Sequence, residues 1–286
     1  MNAPEAKVIT MTEVLKSIRD LPALPIIVIE LMGTLDQEDA GAGMLAEKLS
    51  RDQALSAKVL RLSNSSFYGL SSKVTTIQQA IAILGFNSVR TLVTTASVLD
   101  TFASSEHVTF NFKGFWRHSI ATALCAKTLA RHLRLNQDQA FIIGLLHDIG
   151  RLVLVTGSPE HYASVVSYRE QNDCYLIEAE SATLGLDHTM VGSALAAHWK
   201  FPVLIQKAIA NHHAPNAADP ASLSPIVHMA DCMAHALGLS DDESDLVSPV
   251  LLPVWSSMSL DQEALDRIFR DIEMQFEEAN KILMQA

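Results

Sequence analysis

Cysteine is scarce in this chain, and what there is does not pair. The 3 cysteines, Cys125, Cys174 and Cys232, are odd in number, far apart and in no CxxC spacing. They argue against a disulfide framework and fit a reducing, cytoplasmic setting. Basic charge is scarce too. The 21 Lys and Arg residues stand against 32 Asp and Glu, a net charge of −11 with no basic cluster. Neither a nucleic-acid backbone nor an anionic membrane surface is the expected partner. The N-terminal stretch MNAPEAKVITMTEVLKS lacks a basic segment followed by an apolar one. No uninterrupted apolar run reaches the roughly 20 residues that a membrane span needs. Hairpin dipeptides between alternating runs, low-complexity tracts and internal repeats are also missing.

What remains is helix. About half of the 286 residues are apolar, enough for one large core or two smaller ones. "MLAEKLSRDQALSAKVLRL" (44–62) spaces Leu45, Leu49, Leu55, Val59 and Leu62 as two short helices, with Asp52 capping the second. "TTIQQAIAILG" (75–85) has Thr75 or Thr76 as N-cap and Gly85 as stop. "NSVRTLVTTASVLDTF" (87–102) carries another apolar stripe, and 103–113 reads as a connection. Longer helices are expected over Phe115–Leu133, Gln137–His147, Ser158–Gln171, Tyr175–Leu184, Thr189–Trp199, Val203–His213 and Ser222–Leu237. Asp241 to Asp245 reads as a solvated loop. The last segment is an amphipathic helix whose Leu265, Ile268, Phe269, Ile272, Met274 and Phe276 should pack on the body. "NSSFY" (64–68) reads as a structural turn with a buried aromatic. The fold class is all-α.

One stretch asks for more than packing. "GLLHDIGRLVL" (144–154) sets His147 and Asp148 side by side within an apolar run. Burying that pair costs several kcal/mol unless both find partners. Candidates are His118, near one helix start, His188, near another, and the His212–His213 doublet at a helix end that Pro215 closes. Asp231 joins them because Asp is a poor mid-helix residue. Imidazole nitrogen with carboxylate oxygen suits Fe, Mn, Zn or Ni rather than Ca or Mg alone. Doublets at helix termini can turn both side chains inward, since the last turn leaves the backbone free to adapt. A rival grouping puts His228, Asp231 and His235 on one face of a single helix. A hydrogen-bonded network without metal is the third reading. His107, His132, His161 and His198 have no comparable neighbours and read as structural or exposed.

The order His118, His147–Asp148, Asp231 resembles the H…HD…D signature of the HD superfamily of metal-dependent phosphohydrolases. His188 and His212–His213 match the extra histidines of its HD-GYP branch. "LPALP" (21–25), "LSRDQALSAKVLRLSNSSFYG" (49–69) and "VTTIQQAIAILGFNSVRTLV" (74–93) resemble the HDOD domain, a bacterial signalling module, over about 15–239. The resemblance implies an N-terminal helical lobe (1–110) and an HD-like core (111–239); the acidic loop and C-terminal helix (240–286) lie beyond it. Two departures from HD-GYP stand out. Arg151 replaces the lysine of the HDxGK motif, bringing a planar fork in place of a point charge. "HHAPNAADPASLSPIVHMAD" (212–231) has no GYP loop, which argues against cyclic di-GMP hydrolysis.

The resemblance thus implies one or two divalent transition-metal ions held by His118, His147, Asp148, His188, His212, His213 and Asp231. Two functions follow. One is a regulatory module that binds a signalling protein and keeps the metal site as a structural or sensing element. The other is a phosphohydrolase acting on a nucleotide or another phosphoester. There Asp148 would bridge two ions and Arg151 would neutralise charge on the phosphoryl oxygens.

Overall fold

The computed structural model describes residues 9–33, 42–64, 68, 73–102, 110–219, 222–240 and 246–284. Among these there are helices and no strands. Asp241–Asp245 and most of the 103–113 connection lie outside the described residues.

Six helices come first: α1 (Met11–Asp20), α2 (Ile26–Met32), α3 (Ala42–Ser50), α4 (Gln53–Ser63), α5 (Ile77–Leu84) and α6 (Phe86–Phe102). The starts of α1, α4 and α5 follow from short polar side chains that satisfy free backbone N–H groups. Thr10 and Glu13 cap α1 reciprocally, the Asp52 carboxylate accepts from Leu55 N at 2.9 Å, and Thr76, not Thr75, accepts from Gln79 N at 3.1 Å. Gly85 ends α5 with φ +86°, a backbone state that costs glycine little. Asn64 closes the loop after α4. Its amide donates to Leu60 O and Val74 O and accepts from Val74 N, each at 2.7 Å. The part-buried Tyr68 packs on the core as the "NSSFY" reading expects, and 65–67 fall outside the described residues.

The second half adds α7 (Phe112–His132), α8 (Gln137–Leu146), α9 (Ile149–Gly157), α10 (Pro159–Asn172), α11 (Leu176–Leu184), α12 (His188–His198), α13 (Val203–Asn211) and α14 (Ser224–Ala236). The chain ends in α15 (Leu252–Met258) and α16 (Gln262–Met284). Helix α9 has no counterpart among the sequence expectations. Ile149, Leu152, Val153, Leu154 and Val155 are all buried, so the helix lacks the polar face that betrays a surface helix. Gln137–Gly157 is apolar and long enough to cross a membrane, but 83% of its 18-residue apolar window is buried inside the fold.

Buried apolar side chains from Ile9 to Ala279 form one cluster. Helix α16 lies against α7, fixed by buried Ile268, Ile272 and Phe276. The Arg117 guanidinium sits 5.0 Å from the centre of the Phe276 ring and donates to Glu277 at 3.1 Å. Met274 departs from its expected place: it is 72% exposed. Two residues past Ile272 is about 200° round a helix, the opposite face.

Candidate metal centre

Two close helix crossings bring the polar residues together. A Cβ on Gly144 would stand 2.8 Å from Ala123 Cα and 2.9 Å from Thr122 O, so only glycine lets α8 lie this near α7. That approach sets His147, at the end of α8, beside His118 of α7. A Cβ on Gly150 would stand 2.0 Å from His188 O and 2.6 Å from Gly192 N. The contact presses α9 onto α12 and sets Asp148, just before α9, beside His188, the first residue of α12. His212 and His213 follow α13, and Asp231 reaches in from the middle of α14.

The ring nitrogens then converge on two carboxylate oxygens. Asp148 Oδ1 lies 3.3 Å from His188 Nε2, 3.5 Å from His212 Nε2 and 3.5 Å from His147 Nε2. Asp231 Oδ1 lies 3.1 Å from His118 Nε2, 3.2 Å from His235 Nε2 and 3.7 Å from His147 Nε2. His118 and His147 face each other Nε2 to Nε2 at 3.2 Å, and His188 and His213 do so at 3.1 Å. His118, His147, His188, His212, Asp148 and Asp231 are all buried, and His213 is partly so.

The opposite edges of three rings are already committed. His147 Nδ1 donates to Gly144 O at 2.7 Å, His212 Nδ1 to Ile209 O at 2.8 Å, and His188 Nδ1 to Glu180 Oε2 at 2.6 Å. In a neutral imidazole with its proton on Nδ1, Nε2 carries a lone pair. Three lone pairs therefore face the lone pairs of Asp148 Oδ1, an arrangement that repels unless positive charge is shared among them. Buried His212 Nε2 and Asp231 Oδ1 make no aligned hydrogen bond to any described residue. Metal bonds of about 2.0–2.2 Å place neighbouring ligand atoms about 3 Å apart. The donor set and its spacing fit a divalent transition metal. In three groups the ligand atoms all lie within 4.8 Å of one another: Asp148, His188, His212 and His213; His118, His147 and Asp148; and His118, Asp231 and His235.

Electrostatics agree with that donor set. Burial alone would raise the Asp148 carboxyl, yet His147, His188, His212 and Arg151 hold it well below the usual carboxylate range. Asp231 is held down against burial in the same way by His118, His147 and His235. Burial, with His212 and His188 nearby, pushes His213 down to about 2. Burial also lowers His118 and His212, which favours the neutral ring that binds metal. His188 moves the other way, to about 9, because Glu180 and Asp148 outweigh its burial. Asp148 and Asp231 raise His147 against burial too, so without a bound cation these two rings carry the positive charge that the cluster needs.

The structure thus brings together His118, His147, Asp148, His188, His212, His213 and Asp231. Arg151 is there as well, with its guanidinium beside the Phe110 and Phe115 rings and NH1 donating to Asp148 Oδ2 at 2.9 Å. That bond fixes the carboxylate so that Oδ1 faces the rings. The rival trio on α14 splits. His235 joins Asp231, whereas His228 turns its Nδ1 to His212 O at 2.9 Å and ties α13 to α14. Glu180 escaped the sequence reading. It is fully buried, four residues from Leu176 and from Leu184 on the inner face of α11, and that placement of an acid on an apolar stripe was its one signal. A cavity of about 230 Å3 opens onto the cluster, walled by Arg151, Arg169, Tyr175, Leu176, Leu246 and Leu251 among others.

Comparisons with known proteins give the same frame. Over 96% of its length this chain superposes on 99% of an HDOD domain protein of unknown function from Geobacter sulfurreducens, at TM-score 0.81 and 25% identity. A candidate phosphohydrolase from Shewanella amazonensis matches 95% of this chain and 98% of its own at TM-score 0.76 and 29% identity. An uncharacterized protein of Treponema pallidum is 24% identical over 201 residues, 68% of this chain. The match spans 38% of that longer relative. The HDOD domain family model matches residues 21–215, about two thirds of the sequence, and on that match the chain belongs to the HDOD domain family.

Proposed function

We propose that this chain is a regulatory signalling module built round a divalent transition-metal centre. The ligands are His118, His147, Asp148, His188, His212, His213 and Asp231. One observation carries the reading: Nδ1 of His147, His188 and His212 is spent on oxygen acceptors, so their Nε2 lone pairs all face Asp148 Oδ1. Arg151 orients Asp148 and Glu180 orients His188, so the donors are held before any ion arrives. The helical surface, chiefly that of the 1–110 lobe, meets a signalling protein, while 111–239 houses the metal and the C-terminal helix of 240–286 braces α7. Three unpaired cysteines support a reducing, cytoplasmic setting.

A second reading, phosphoester hydrolysis, is favoured by the cavity that opens onto the cluster with Arg151 in its wall. The likeness to the candidate phosphohydrolase of Shewanella amazonensis supports it too. A bound ion would supply Lewis acidity and water of lowered pKa. Arg151 would place a cation beside the phosphoryl oxygens while keeping Asp148 in position, and the apolar wall at Leu176, Leu246 and Leu251 would exclude water from the ester.

The test is elemental analysis of protein purified without chelator or histidine tag, beside Asp148→Ala. The expected result is one or two equivalents of Fe, Mn, Zn or Ni, lost in the variant. Metal absent from both, and not taken up on addition, would sink the reading. A phosphoester screen of the metal-loaded protein then separates the two functions.

A further inference from the structure

A histidine outside the family's matched segment shares the geometry of those within it. His235 sits one turn beyond Asp231 on α14, twenty residues past the end of the segment that matches the family model. Its Nε2 is 3.2 Å from Asp231 Oδ1, as near as His118 Nε2 at 3.1 Å. The His235 and His118 rings stack with centres 4.3 Å apart and planes inclined by 29°, so both offer Nε2 to the same oxygen from the same side. That oxygen is buried and makes no aligned hydrogen bond to any described residue, despite three imidazole nitrogens within 3.7 Å. Short distance without hydrogen-bond alignment is what atoms show when they point at a common centre rather than at one another. Ser248 Oγ, at 3.4 Å, approaches the other oxygen, Oδ2, and leaves Oδ1 to the rings.

We propose that His235 is a metal ligand, forming with His118 and Asp231 a cation position on the cavity side of the centre. This rests on the metal-centre reading above and extends it by one residue. Two imidazoles and one carboxylate select a transition ion, Zn, Fe, Ni or Mn, over Mg or Ca. His235 lines the cavity together with Asp231, so an ion held there meets whatever enters. His228 is the internal comparison. It occupies the same helix and also lines the cavity wall, yet its Nδ1 is bonded to His212 O and its Nε2 accepts from Leu251 N at 3.4 Å, which leaves it no part in coordination.

The alternative is that His235 only donates a hydrogen bond to Asp231 and steadies it. His235→Gln separates the two, because glutamine keeps a donor at similar reach but is a poor ligand for these ions. Apo wild type, His235→Gln, His235→Ala and His132→Gln would be titrated with Zn2+ against a chromogenic chelator, with folding checked by circular dichroism. Coordination predicts that both His235 variants lose one equivalent, or bind their weakest ion at least tenfold less tightly, while His132→Gln, at an exposed histidine outside the cluster, matches wild type. Histidine 15N spectra of the wild-type chain give a readout that needs no stable variant: the His235 Nε2 resonance should move on Zn2+ binding to the position of a metal-bound nitrogen, with the ring proton held on Nδ1. Unchanged stoichiometry and affinity in His235→Gln, or an unmoved His235 resonance in a chain that does bind zinc, would overturn the proposal alone. A wild-type chain that takes up no metal would overturn it together with the reading it rests on.

Discussion

The carbonyl oxygen of His188 stands 2.0 Å from where a Cβ on Gly150 would be. The glycine of the HDIGR stretch is thus the contact that lets α9 settle on α12 and brings Asp148 to the His188 ring. Gly150→Ala forces backbone against backbone, with no flexible side chain to yield. Overpacking of this kind costs about 1–3 kcal/mol, and here the cost also moves a proposed ligand. The expected outcome is a lower melting temperature together with reduced metal content. Gly43 in α3 is the control, since a Cβ there meets nothing within 4 Å. Gly43→Ala should raise stability by about 0.5–1 kcal/mol. Equal behaviour of the two variants in urea melts would refute the packing argument.

Glu180 should matter although it is not itself among the proposed ligands. One oxygen, Oε2, accepts from both the backbone N and the ring Nδ1 of His188, at 2.8 and 2.6 Å. Glu180→Gln keeps the shape and removes the charge that makes the ring a strong donor. Loss of such an orienting partner typically weakens metal affinity about 10–100-fold. Competition with a chelator of known affinity would measure this, and an affinity within a factor of two of wild type would show that His188 needs no anchor.

How much of this centre was legible in the sequence depended on what each residue had to reveal. The doublets His147–Asp148 and His212–His213 were legible because a charged pair in an apolar run is costly without partners. Asp231 was legible because Asp is rare in mid-helix. Glu180 and the choice between His228 and His235 were not. Both histidines share the face of Asp231 by spacing, and what separates them is a backbone carbonyl, His212 O, supplied by another helix. Helix α9 hid for a different reason: it is a short, mostly buried apolar run that follows the His147–Asp148 doublet directly, and a run of that length is not told from a strand or a continuation by pattern alone. Close crossings at Gly144 and Gly150 left no trace either, since a glycine within a helix looks the same in sequence whether or not a neighbour needs the room.

Asn64 makes a local prediction. Its amide bridges the end of α4 and the chain at Val74 through three bonds of 2.7 Å. Asn64→Ala leaves Val74 N and two carbonyls to find other partners in a part-buried place. A loss of about 1–3 kcal/mol is expected, read as a lower urea midpoint at unchanged slope. Asn64→Asp tests the donors separately, because a carboxylate can accept from Val74 N but cannot donate to either carbonyl. It should fall below wild type as well, and a neutral result there would assign the clip to its acceptor half alone.

The C-terminal helix offers a contrast between two residues only two positions apart. Phe276 is almost fully buried between α16 and α7, with the Arg117 guanidinium 5.0 Å from its ring centre, while Met274 is 72% exposed. Truncating a buried aromatic costs about 3–5 kcal/mol through lost burial and the cavity left behind. Phe276→Ala should therefore destabilise strongly and free Arg117 to move. Helix α7 carries His118, so a loosened α16 should also weaken metal binding. Met274→Ala removes no packing and should stay within about 0.5 kcal/mol of wild type. Thermal melts of the two variants, each with and without metal, decide the matter. If Phe276→Ala melts early yet binds metal as wild type does, α16 supports the fold without bracing the centre. If both properties fall together, the helix braces the ligand scaffold through α7.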